Sequence, residues 1–220
     1  MSLKTSNLAF KARVDREVHN EIMRKAVVKA QETIGTNRQK MVDELGHWEE
    51  WRDLSKQIRN HVLANLDAYL YQLSEKVTAN GGHVYFAETA EEATEYIRQV
   101  ALKKNAKKIV KSKSMVTEEI GLNGVLENEG IQVIETDLGE YLLQISGDKP
   151  SHIVVPAIHK DRHQIRKDLH EKLGYEGAET PEDMTRFVRE KIRQDFLEAD
   201  IGISGCNFAV AEPGSVCLVT

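Results

Sequence analysis

At 220 residues the chain is long enough for one well-cored domain plus an appendage, and 35 acidic against 30 basic side chains leave it a net charge of −5. That balance argues against a general nucleic-acid binder, which carries a basic surplus. Cys206 and Cys217 are its two cysteines; they exclude a disulfide framework and supply neither a four-cysteine zinc site nor an iron–sulfur cluster from within the chain.

No apolar run approaches the roughly 20 residues of a membrane span. The opening MSLKTSNLAFKARVDREV meets charge too early for a secretory h-region. The expected compartment is therefore a reducing cytoplasm.

Residues 1–80 read as helical throughout. Val14, Val18 and Ile22, then Met23, Ala26, Val27 and Ala30, keep a helical period. Gly35 is expected to end that segment, and Thr36 to cap a short helix through Leu45. A long helix should follow, since Trp48, Trp51, Leu54, Ile58, Val62, Leu66, Leu70, Leu73 and Val77 recur at steps of three and four. Asn80-Gly81-Gly82 stops it with the residues a left-handed C-cap prefers. The apolar stripe reads as a packing face, or alternatively as a surface that docks a partner.

From His83 the pattern changes, and the Gly81-Gly82 pair is taken as the boundary between the helical region and an α/β core of residues 81–220. A strand is expected at His83–Ala87, then a helix opened by a Thr89/Glu92 capping box. Lys108–Lys111 is a short strand running into Ser112-Lys113-Ser114. A helix interrupted near Gly121 spans Val116–Asn128. Ile131–Ile134 is read as the central strand, turning through Glu135-Thr136-Asp137-Leu138-Gly139-Glu140 into a helix. A strand at His152–Val155, a helix over 161–173, a helix opened by Thr180-Pro181 and a strand at Asp200–Ser204 complete the alternation. Strands separated by such helices imply βαβ units and a mostly parallel sheet flanked by helices. The end differs: Phe208–Ala211 and Ser215–Thr220 around Glu212-Pro213-Gly214 read as a β-hairpin. The second strand is as apolar as a buried one and stops at Thr220, which leads us to expect a fragment of a longer protein.

Strand ends in α/β sheets are where ligands bind. Glu135, Thr136, Asp137 and Glu140 lie at such an end. A helix cap accounts for Asp137, with Glu140 as its reciprocal partner, but leaves Glu135 and Thr136 unexplained. Lys107, Lys108, Lys111 and Lys113, interleaved with Ser112 and Ser114, either receive an anion or form a solvated basic edge. Neither a P-loop nor a dinucleotide fingerprint is present. His159, His163 and His170 lack the neighbouring glutamate of the zinc-protease pattern, so no metal site is assigned to them; His159 is better placed as a hydrogen-bonding or acid/base group. Asn207 and Gly214 mark the ends of the hairpin, where glycine permits tight turns and close approach. Cys206 reads as a plain small residue.

ETDLGEYLLQ, PSHIVVPAIH and EADIGISGCNFAVAEPGSVCLVT resemble the lactate-utilisation (LUD) domain family, in its iron–sulfur-subunit branch, from about residue 10 to Thr220. The resemblance implies a fold similar to the ribose-5-phosphate isomerase, glucosamine-phosphate deaminase and CoA-transferase superfamily. It also implies a part in oxidising L-lactate to pyruvate together with other subunits. In that branch a ferredoxin-like cysteine-rich region follows the LUD domain, so 4Fe-4S clusters are expected beyond this chain and no cofactor within it. The family's motifs fall on Glu135, Thr136, Asp137 and Glu140, on Ser151, His152 and His159, and on Gly205, Asn207, Glu212 and Gly214. These are pocket candidates, with Glu212 and His159 the first choices for chemistry and Lys111 for holding a carboxylate such as lactate or pyruvate. By fold analogy the alternative is a free-standing enzyme for small anions, CoA esters or sugar phosphates, with Glu212 as nucleophile or base. A third reading is an assembly module docking through the N-terminal helices.

Overall fold

The computed structural model describes residues 10–151 and 155–219. The chain falls into two compact units. Among the described residues, one holds those up to Lys29 and those within Ala87–Gly205; the other holds Ala30–Phe86 with residues 206–219.

The N-terminal helices are α1 (Phe10–Val18), α2 (Glu21–Leu45), α3 (Trp48–Ala64) and α4 (Leu66–Ala79). Two expectations change here. Helix α2 runs straight through Gly35 and Thr36: a glycine costs roughly 1 kcal/mol in a helix, which weakens the turn without stopping it. The long helix expected from Trp48 is instead broken at Asn65, whose φ of −130° lies outside the helical range. Helix α4 does end as the sequence indicates, with Gly81 at φ +84° and the Gly82 N–H donating to Val77 O. The strand expected at His83–Ala87 does not form: the segment pairs with no strand of either sheet. Alternation supplies a face, but a strand also needs a ladder partner.

In the first unit α5 (Ala90–Lys103) follows, opened by Thr89, whose hydroxyl accepts from Glu92 N. The reciprocal bond goes one residue back, from Glu88 N to the Glu92 carboxylate. Then come β1 (Lys108–Lys111), α6 (Met115–Glu119), α7 (Leu122–Asn128), β2 (Gln132–Glu135), α8 (Leu138–Ser146), α9 (Arg162–Leu173), α10 (Pro181–Glu198) and β3 (Ile201–Ile203). The three strands form a parallel sheet in the order β2-β1-β3. The middle strand is therefore β1, not the Ile131–Ile134 run. The strand expected at His152–Val155 lies largely on residues 152–154, outside the described residues.

Register decides which side chains share a face. Ile109 pairs with Val133 and with Ile201, and two residues on Lys111 pairs with Glu135 and Ile203. Ile109, Val133, Leu122, Leu126 and Ala101 make one apolar cluster, packing α5 and α7 on this face. Tyr141, Leu142, Leu169, Met184, Val188 and Ile192 of α8, α9 and α10 make a second, against Ile134, which points the opposite way from Val133. The result is a helix–sheet–helix sandwich, as a parallel sheet requires. Lys108 faces the second layer, where its ammonium meets Asp195 at 2.9 Å and Glu198 at 2.7 Å. The four lysines around β1 therefore do not act as one anion-binding group.

In the second unit β4 (Phe208–Val210) and β5 (Ser215–Cys217) form the antiparallel hairpin expected at the C-terminal end. Its turn rests on α4, since Asn80 Nδ2 donates to Pro213 O at 3.0 Å.

Candidate functional site

Four-residue strands in parallel register place Lys111 and Glu135 side by side at the carboxyl end of the sheet. Both point to the α5/α7 face, one step beyond the apolar Ile109–Val133 pair. Lys111 is wholly buried. Its ammonium lies 2.9 Å from Glu135 Oε1 and 3.8 Å from Glu118 Oε1, and donates to Thr117 Oγ1 at 3.2 Å.

Three local structures deliver these partners. Ser114 N-caps α6, accepting from Thr117 N and fixing the turn that carries Thr117 and Glu118 inward. Gly121, at φ +68°, ends α6 and lets α7 start afresh, so that Asn123 Nδ2 reaches Glu135 Oε1 at 2.7 Å. Asp137 N-caps α8 by accepting from Glu140 N. The Glu140 carboxylate does not return to the cap as a reciprocal partner; it turns into the cluster.

Carboxylate oxygens of Glu118, Glu135 and Glu140 all lie within 4.8 Å of one another. Burial, and next the negative charge of Glu135, push the Glu140 carboxyl up to about 7, against a smaller downward pull from the Lys111 ammonium. The Oε2 atoms of Glu135 and Glu140, and Oδ1 of Asn123, are buried without a hydrogen-bond partner among the described residues. Three carboxylates thus share one ammonium in a largely buried site, with the Glu118 side chain 15% exposed. Such a group can exchange a proton near neutral pH, and its oxygens are of the type hard cations take.

Of the residues marked in the sequence, Lys111, Glu135 and Glu140 are brought together. Ser114 supports them through its cap. Thr136 and Ser112 extend the sheet: Thr136 donates from its N–H and its hydroxyl to Lys111 O, and Ser112 N donates to Ile203 O. Missed were Glu118, Thr117 and Asn123. Their signal was the lysine itself, since a lysine at the inward position of a central strand requires more than one acceptor.

His159 lies elsewhere in this unit. Its Nδ1 is 2.8 Å from Ser151 Oγ, and with Asp148, Lys160, Gln164, Lys167 and Asp168 it lines a cleft of about 250 Å³. Lys160 is held there at 2.5 Å by both Asp148 and Asp168. His163 turns to Glu179 and His170 to Tyr175 O, so the three histidines face three different partners. His152 lies outside the described residues.

Asn207, Glu212 and Gly214 belong to the other unit. Asn207 Oδ1 accepts from Val219 N at 2.8 Å, which fixes the chain after β5. Gly214 has φ +67°, and a Cβ there would stand 2.7 Å from Lys76 Cβ and 2.8 Å from Lys76 C, so only glycine fits. Glu212 is an exposed turn residue.

The LUD domain family matches residues 70–220. Over all 220 residues the chain is 74% identical to a protein of Escherichia coli K12 named "Uncharacterized electron transport protein YkgF". It is 59% identical to "Lactate utilization protein B" of Bacillus cereus B4264, and 58% identical to "Lactate utilization protein B 2" of Bacillus mycoides KBAB4. It spans 46% of the length of each. No solved structure gives a significant match.

Proposed function

Since the chain belongs to the LUD domain family, we propose that it forms the LUD portion of a lactate-utilisation protein that takes part in oxidising L-lactate to pyruvate. Loss of the C2–H and O–H bonds of lactate releases two protons and two electrons. In this reading the electrons leave through 4Fe-4S clusters carried outside these 220 residues, in a complex with other subunits.

The observation that carries the proposal is identity of 58–59% along the whole chain with proteins named for lactate utilisation. The name of the Escherichia coli relative, an electron transport protein, supports the redox part. Geometry supports a site in the LUD portion, because the Lys111–Glu135 cluster sits at the carboxyl end of a parallel sheet, where α/β folds do their chemistry. The cluster carries more negative than positive charge, so a lactate carboxylate is not expected to sit on Lys111. The His159–Lys160 cleft is the better receiver, because Lys160 and Lys167 offset Asp148 and Asp168 and the cleft carries no negative surplus, with His159 beside them.

Lactate-dependent pyruvate formation by the intact protein with its partner subunits tests this directly. One pyruvate per two electrons delivered to an artificial acceptor is the expected result, and His159→Asn should lower it. No lactate turnover in a cluster-replete complex, together with thermal stabilisation by CoA esters or sugar phosphates alone, would instead establish the free-standing enzyme reading.

A further inference from the structure

We propose that Glu118, Glu135 and Glu140 hold one hard divalent cation next to the Lys111 ammonium. The proposal does not depend on lactate being the substrate.

Charge is the first argument. With Glu140 ionised, three carboxylates against one ammonium leave two negative charges in a site where Lys111 is wholly buried, Glu135 is 3% exposed, Glu140 is 8% exposed and the Glu118 side chain is 15% exposed. Uncompensated charge in such surroundings is strongly unfavourable. A single 2+ ion brings the sum to zero with Lys111 still in place.

Orphaned atoms are the second. The Oε1 of Glu135 is already served by Lys111 and Asn123, whereas, with Glu140 ionised, the Oε2 of Glu135 and the Oε2 of Glu140 have no donor among the described residues. Both oxygens are buried, so bulk water does not serve them either. A cation satisfies acceptors that lack donors.

Size is the third. Ligand oxygens of the three glutamates lie within 4.8 Å of one another. An ion with oxygen ligands at about 2.4 Å sets opposite ligands about 4.8 Å apart, and one with ligands at about 2.1 Å sets them about 4.2 Å apart. The limit of 4.8 Å admits calcium, manganese and magnesium alike. The all-oxygen donor set selects these over zinc or copper.

Mn²⁺ is the probe, added to the intact, chelator-treated protein and followed by room-temperature electron paramagnetic resonance, where the free aquo ion is seen and the bound ion is lost. One tightly bound Mn²⁺ per chain is expected, displaced by Ca²⁺ or Mg²⁺. Near a hundredfold excess over Kd the Tm should rise by about 5–10 °C. The paired change Glu118→Gln with Glu140→Gln should weaken binding at least tenfold while circular dichroism stays native. Lys111→Met should act in the opposite sense, tightening binding and making the fold depend on the ion. Absence of Mn²⁺ binding, binding indifferent to the two glutamine substitutions, or a Lys111→Met protein that Mn²⁺ fails to rescue would each overturn the proposal.

Discussion

Glu140 concentrates the electrostatics of this fold in one side chain. Its carboxyl titrates near 7 in the folded chain against 4.5 for the ordinary group. A carboxyl with a raised folded value stabilises the protein fully below about 4.5 and loses that contribution as pH rises through about 7. In chelator, urea unfolding should therefore show lower stability at pH 8 than at pH 6. Glu140→Gln should flatten that slope and add about 2 kcal/mol at pH 8, since its amide stays neutral and offers the orphaned Glu135 Oε2 a donor. A variant with the wild-type slope would show that another group governs it. The sequence exposed Lys111, Glu135 and Glu140 because all three flank strand ends. It hid Glu118 and Asn123 because they reach the site only through two short helices whose relative rotation is set at Gly121.

At the scale of elements, caps were legible and breaks were not. Asp137, Thr180 and Thr89 each open the helix that their side chains indicate. Asp137→Ala should remove about 1 kcal/mol of stability by freeing the first turn of α8, measured as a lower urea midpoint at unchanged m-value. Helix α2 passes Gly35, whose cost of roughly 1 kcal/mol weakens the turn without stopping it, while an unexpected break occurs at Asn65, where the backbone leaves the helical range; a periodicity count registers neither. Gly214 looked like a ligand-approach glycine, yet its surroundings explain it as the place where the hairpin turn meets α4. Gly214→Ala should cost about 1–3 kcal/mol from the left-handed backbone and more from the contact with Lys76, with the loss seen in Tm. A neutral substitution would mean that the turn moves away from α4 without penalty.

Across the molecule, the alternation of strands and helices was enough to give a parallel sheet covered on both faces, and it misplaced the centre of that sheet. An apolar Ile131–Ile134 run looks more central than Lys108–Lys111, because ionic partners that make a lysine tolerable in a middle strand come from distant segments. Native-state hydrogen exchange should reflect the true order. Amides of β1, laddered on both sides, should exchange more slowly than those of β2, whose outer edge is met by the Gln144 side chain bonding to Glu135 N and Val133 O. Faster exchange in β1 would contradict the strand order. None of the described helices is long and apolar enough to cross a membrane.

The pairing of Lys111 with Glu135 also bears on how the gene can change length. Side chains alternate along a strand, so losing or gaining one codon within 132–135 would send Glu135 to the α10 face and bring its neighbour opposite the lysine. The ammonium would lose its nearest counter-charge and the apolar layer would lose Val133 in the same event. Single-codon insertions and deletions should therefore be absent from this stretch among functional descendants, whereas pairs of them, or changes in the turns that join the helices, would leave the pairing in place.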